Sequence, residues 1–299
     1  MTTMTMTTRD VRAERPEPTG ESAVLDGEIL ARGVPIGALV GTLGFVEMVF
    51  FQVLGRYPDG RERAMTEAYL VSLCEHGVTS PSTHGARVAA SVRAPFAACA
   101  INFISGAMGS YHFGALERAM EEIGELVAGG GSVDAFLDAC EAGGRRVWGF
   151  GHRFHKSASS ASVRAGVDVA SVRELADPRV RRLVELADEV GWEGTHVRAV
   201  RAIGRRLFER KRVPINIDGL GAGILLDMGF APSDAMLFVI LGRLANMARL
   251  YREELGESAN RFVALATRGD AGFDRTTDRD LAGEGRVSGV PCGVAPARS

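Results

Sequence analysis

Lysine is nearly missing: of 35 basic residues only Lys156 and Lys211 are lysines, which leaves 33 arginines. Most of that bias reads as coding composition, although arginine's planar fork binds carboxylates bidentately where lysine presents a point charge. Net charge is also small, formally −2, and so excludes the basic excess on which nucleic-acid binders depend. Cysteine is sparse and scattered. Cys74, Cys99, Cys140 and Cys292 form no CxxC pair and follow no apolar leader, which points to reduced thiols in a cytoplasmic protein. Several catalytic signatures are lacking. There is no HExxH and no histidine pair four apart on a predicted helix, so no metal site is expected. No GxGxxG follows a strand and no GxSxG elbow occurs, so neither a bound dinucleotide nor a serine nucleophile is indicated.

Residues 94–116 carry no charge and 33–55 carry only Glu47. Both runs contain glycine or proline together with polar residues such as Asn102, His112 and Gln52. They read as buried helices and not as membrane spans. The chain of 299 residues, 46% hydrophobic, is long enough to bury a large core. Residues 1–22 and 283–299 are polar and read as disordered tails.

Helical periodicity dominates. Asp177 can cap a helix with Pro178 in its first turn, and Val180, Leu183, Val184 and Ala187 follow at i, i+3, i+4 and i+7. A second helix opens near Ser233, and others are predicted over 116–127 and 197–210. Alternating strand patterns are nearly absent, so the spacing predicts an all-α fold. Breaks at AGGGS (128–132), GGRRVWGFGH (143–152) and VPINIDGLGAG (213–223) bound a more charged middle block. They suggest a small domain over 118–232 inserted into a large one made of 23–117 and 233–282.

The chemistry-bearing residues are few. Of six histidines, His76, His112 and His152 lie in glycine-rich or turn-like settings. Asp218 stands between an apolar strand-like run and a glycine-rich turn. An acid, several imidazoles and glycines that let a backbone approach a ligand are what proton abstraction beside a carbonyl requires.

These segments, in this order, resemble the citrate synthase superfamily. GFGHRFHK with DPR at 177–179 resembles its glycine-histidine loop, and PINIDGLGAG its aspartate segment. EHGVTSPSTHGAR and YHFGALERAM resemble its two earlier histidine segments, and GRLANMARLYREEL its arginine helix. The resemblance implies an all-helical homodimer with a closing cleft and no cofactor beyond a CoA thioester substrate. It implies that Asp218 takes a proton from the acyl-CoA α-carbon, that His112 stabilises the enolate oxygen, and that His152 serves the 2-oxo group of the acceptor. It further implies that His76, Arg179, Arg243 and Arg268 hold the acceptor's carboxylates, and that Val147, Gly149, Phe150, Gly151 and Lys156 bind CoA. The implied reaction is condensation of acetyl-CoA with oxaloacetate or a related 2-oxo acid, giving citrate and CoA. The alternatives are cleavage of citryl-CoA and a non-catalytic CoA or carboxylate binder. Three features depart from the family pattern, one being the C-terminal arginine motif, to which Arg268 in ALATRGDAGFD is the nearest match. Residues 157–176 are inserted between Lys156 and DPR, and Arg249 stands where a histidine is usual and adds a cation near the acceptor.

Overall fold

The computed structural model describes residues 16–77, 80–152 and 175–257. By internal contacts the chain forms two compact units, residues 1–67 and 68–299, with the boundary inside a helix. The expected breaks at 118 and 232 both lie inside the second unit.

The first unit holds a small antiparallel sheet in the order β1 (Ala23–Leu25), β2 (Glu28–Ala31), β3 (Val34–Pro35), with Val24 opposite Ile29 and Ala31 opposite Val34. Its two hairpin turns, Asp26–Gly27 and Arg32–Gly33, take positive φ at both central residues, the backbone twist that two-residue hairpins favour. Helices α1 (Ile36–Leu39) and α2 (Phe45–Leu54) follow. Ala31, Val34, Leu39 and Phe51 make the core of this unit. Helix α3 (Gly60–Leu73) carries the chain into the second unit.

The second unit is helical: α4 (Pro81–Ser91), α5 (Phe96–Ala107), α6 (Gly114–Ala128), α7 (Val133–Ala142), α8 (Pro178–Val190), α9 (Thr195–Lys211), α10 (Ile217–Asp227), a 3-10 turn (Pro232–Asp234) and α11 (Ala235–Gly256). The fold is thus mostly helical, with the small sheet as an addition that the hydrophobic pattern does not reveal. Local caps set several helix starts. Ser80 accepts from Thr83 N ahead of Pro81, Asp177 accepts from Arg179 N ahead of Pro178, and Asn216 accepts from Asp218 N and Gly219 N. Helix α9 follows Gly194, which has no side chain to cap it. There the Asp227 carboxylate, from the end of α10, accepts from His196 N and Val197 N at 2.8 and 2.9 Å.

Two readings of the sequence change. The glycines of 219–223 lie not in a turn but in α10, where the absence of side chains admits neighbours. A β-carbon on Gly221 would lie 2.2 Å from the Tyr69 hydroxyl, and one on Gly219 would lie 2.1 Å from the Gly149 carbonyl oxygen. The uncharged run 94–116 forms α5 and the turn after it. That helix buries only one face, through Cys99, Phe103 and Ala107, while Phe96 and Ile101 are exposed. Its lack of charge therefore does not mark burial within one chain. No helix among the described residues is long and apolar enough to cross a membrane.

The crossing at Gly149 and Gly219 is backbone against backbone, so a flexible side chain cannot yield to relieve an added methyl group. Gly219→Ala should lower folding stability by about 3 kcal/mol or more. Gly37→Ala, where the added carbon meets open space, should change it by less than about 0.5 kcal/mol. Urea midpoints of the two variants provide the check, and an undisturbed Gly219→Ala protein would contradict the crossing.

Candidate active site

Four chain segments bring the histidines and the aspartate together. The loop after α3 carries His76. The turn before α6 carries His112, whose backbone N–H bonds to the Gly109 carbonyl. The loop 149–152 is held against 214–216 by an isolated bridge between Phe150 and Ile215, with Gly151 N donating to Pro214 O and Asn216 N to Gly149 O. Asn216 Nδ2 also donates to Gly151 O at 2.9 Å. One asparagine therefore caps the helix of Asp218 and fastens it to the loop of His152.

The three imidazoles form a cluster. The ring centroid of His76 lies 5.8 Å from that of His112 and 5.6 Å from that of His152. They border, with Asp218, a cavity of about 330 Å³ that is also lined by Ser80, Tyr111, Phe113, Arg146, Gly151 and Asn216. His112 Nε2 lies 3.0 Å from Ser82 Oγ.

Arg179, in the first turn of α8, is clamped by buried Asp177. Its Nε and Nη2 donate to the two carboxylate oxygens at 3.0 and 2.7 Å, which leaves Nη1 3.5 Å from His76 Nδ1. The segment 157–176 therefore does not keep Arg179 away from the other predicted residues. Arg243, in the middle of α11, is 1% exposed and its guanidinium lies 4.7 Å from the centre of the Phe113 ring. None of its three side-chain nitrogens has a hydrogen-bond partner among the described residues. A buried cation without an acceptor is costly unless something else meets it.

Burial shapes the acid–base chemistry. It pushes Asp218 up to about 6, against the opposing pull of Arg179 and Arg243. Burial, reinforced by Arg243, pushes His112 down to about 4. Burial, reinforced by Arg243 and Arg179, pushes His76 down to about 2. Both imidazoles are therefore neutral at pH 7. Burial also lowers Arg243 to about 10, with Arg179 adding to the effect, and it remains a cation.

Not every predicted residue borders the cavity. Of the residues expected to bind CoA, Gly151 does so, Val147 is half-buried, and Gly149 and Phe150 are buried in the crossing and the core. Lys156 and Arg268 lie outside the described residues, as does the larger part of the insertion 157–176. Sequence reasoning missed Ser82, Asn216, Tyr69 and Arg146. Only Asn216 carried a signal, an N-cap residue two positions before the aspartate. Tyr69 is fully buried with no partner for its hydroxyl among the described residues, and burial beside Asp218 pushes it upward. Arg146 sits against Trp148 and Tyr111, 4.8 and 5.7 Å from their ring centres.

Residues 42–263 match the family described as citrate synthase, C-terminal domain. The chain belongs to the citrate synthase family. Among curated relatives, the putative citrate synthase 2 of Mycobacterium tuberculosis is 31% identical over 182 residues, covering 60% of this chain and 44% of that protein. The chain thus spans less than half the length of that relative. Among solved structures, citryl-CoA lyase from Hydrogenobacter thermophilus aligns with a TM-score of 0.69 at 27% identity, covering 88% of this chain and 98% of the lyase. Citrate synthase from Thermotoga maritima shares the fold, with a TM-score of 0.59 at 20% identity, over 78% of this chain and 59% of that enzyme.

A carboxyl whose pKa rises on folding destabilises the protein in its charged form. For Asp218 that cost is absent below its ordinary value of 3.8 and is complete above about 6. Asp218→Asn should therefore stabilise the fold by on the order of 2 kcal/mol at pH 8 and change little near pH 4. Denaturant unfolding at the two pH values measures this, and equal effects at both would refute the shift.

Proposed function

We propose that this cavity catalyses the making or breaking of a carbon–carbon bond between the enolate of an acyl-CoA and a 2-oxo dicarboxylate, with cleavage of a citryl-CoA-like thioester as the preferred direction. The observation that carries the reading is the convergence of Asp218, His112 and His152 on one cavity, with the buried Arg243 guanidinium stacked on the Phe113 ring that lines it. The cleavage direction draws support from the match to nearly the whole length of a citryl-CoA lyase at 27% identity. Asp218, pushed up to about 6, has both its protonated and its ionised form within reach near neutrality and so serves either direction.

In cleavage, His152 accepts the proton of the substrate's tertiary hydroxyl. The carbon–carbon bond breaks as the ketone forms, and the electron pair passes into the thioester enolate. Ser82 Oγ, 3.0 Å from His112 Nε2, is placed to donate to that nitrogen, which would put the imidazole proton on Nδ1, from where it hydrogen-bonds the enolate oxygen without leaving the ring. A neutral imidazole suits this role because its proton is retained while it polarises the oxygen. Asp218 then protonates the methylene carbon to complete the acyl-CoA, and the other product is the 2-oxo acid. Arg243, Arg179 and His76 hold the carboxylates, and bidentate arginines fit that task.

Condensation is the second reading, favoured by the names of the curated relatives. It runs the same steps in reverse from ionised Asp218, and then needs water to release CoA from the citryl thioester. We also propose that the protein works as a homodimer, because Val92, Phe96 and Ile101 are exposed apolar side chains at the end of α4 and along α5 that a second copy could cover.

Citryl-CoA and the pair acetyl-CoA plus oxaloacetate should be assayed separately, with products identified by mass. Turnover of citryl-CoA to acetyl-CoA and oxaloacetate is expected. Its kcat/KM should fall as pH rises through about 6, whereas condensation should rise through the same value. Inactivity with both substrate sets would sink the proposal. His112→Ala should lower kcat by about 100-fold or more, as loss of an oxyanion donor does elsewhere. A near-normal rate in that variant would remove His112 from the mechanism.

A further inference from the structure

Glu75 immediately precedes His76 and is not part of the cavity lining. Its side chain is 55% exposed, yet both of its oxygens are occupied. Oε1 accepts the backbone N–H groups of His76 and Gly77 at 2.9 and 2.8 Å. Oε2 accepts from Asn246 Nδ2 at 2.5 Å and from Arg249 Nη2 at 2.8 Å. Asn246 lies one helical turn beyond Arg243 on α11, and Arg249 lies three residues further on. A single carboxylate therefore ties the loop that carries His76 to the helix that carries Arg243. That loop belongs to no helix or strand, so these bonds supply order that the backbone does not. An isolated exposed ion pair contributes little. Four donors from two elements converging on one carboxylate form a connected, charge-assisted network instead. The charge of Arg249 is also met by Glu253, so this arginine has two carboxylates of its own chain and is not a spare cation for a substrate.

We propose that Glu75, held by Arg249, is a positioning residue for carboxylate recognition: it sets the spacing between the His76 imidazole and the Arg243 guanidinium without touching the substrate. The inference rests on the reaction proposed above for the identity of the ligand, a 2-oxo dicarboxylate. Arg249 is accordingly part of the frame of the site, and exchanging it acts through Glu75.

The test compares Glu75→Gln, Arg249→Gln, Arg249→Lys and the double glutamine variant. Glu75→Gln keeps the size but replaces one acceptor oxygen with a donor. It should raise the KM for oxaloacetate in condensation, or its product-inhibition constant in cleavage, by about tenfold, the scale of a displaced recognition group. KM for acetyl-CoA in condensation and the pH limb near 6 should stay unchanged, whereas KM for citryl-CoA, which carries the same carboxylates, should rise with that for oxaloacetate. The double variant should be no worse than Glu75→Gln alone, and Arg249→Lys should retain most of the oxaloacetate affinity. Unchanged oxaloacetate constants, an equal loss for acetyl-CoA, or additive effects would overturn the proposal. A second readout needs no turnover: amide hydrogen exchange in the peptide spanning His76 and Gly77 should quicken in Glu75→Gln at an unchanged melting temperature. Unaltered exchange would overturn the clamp. A wild-type protein inactive on every CoA thioester, with exchange that does respond, would count against the reaction and leave the clamp standing.

Discussion

The site depends on one contact that contains no side chain. Gly149 and Gly219 pass each other so closely that neither tolerates a β-carbon. That crossing sets the first turn of α10 against the 149–152 loop, and so an aspartate against a histidine from a segment more than sixty residues earlier. Asn216 completes the arrangement with one side chain, whose oxygen caps the helix and whose nitrogen grips the loop. The placement of the Asp218 backbone relative to that of His152 is therefore set by this crossing and by Asn216, and not by the packing of larger side chains.

The same burial acts in opposite directions on different groups. It favours the neutral form of each, which makes the aspartate a weaker acid and the histidines weaker bases. A carboxyl near 6 and imidazoles near 4 and 2 are thus consequences of one desolvated environment. The arginines modulate that outcome without reversing it for Asp218. A site built this way separates the proton carrier from the polarising groups with no need for separate compartments.

Much of this was legible in the sequence for a physical reason. The helices at 178–190, 195–211 and 235–256 follow from apolar spacing, and the cap at Asp177 from a residue whose side chain can meet free N–H groups. The three histidines and Asp218 stood out because polar residues among glycines are unusual in a helical chain. Legibility failed where glycine had two meanings. In 219–223 it reads as a turn, yet here it is a helix surface shaved to let Gly149 and Tyr69 approach. It failed again at Arg249, whose charge looked available until Glu75 and Glu253 were found beside it. Glu253, four residues on, is a spacing a helix makes readable, but Glu75 is 174 residues away along the chain and leaves no periodicity to read. The lack of charge in α5 was likewise misleading, since an apolar helix face and a covered one are different things.

The unmet guanidinium of Arg243 has a consequence for selectivity. With no acceptor for its three nitrogens among the described residues, this buried cation favours an anionic partner over a neutral one of the same shape. An ester or amide could accept a hydrogen bond through its carbonyl but would leave the buried charge uncompensated, a larger penalty than that for a missing methylene. Discrimination here would begin with the ionisation state of the visitor, before its carbon skeleton is compared at all.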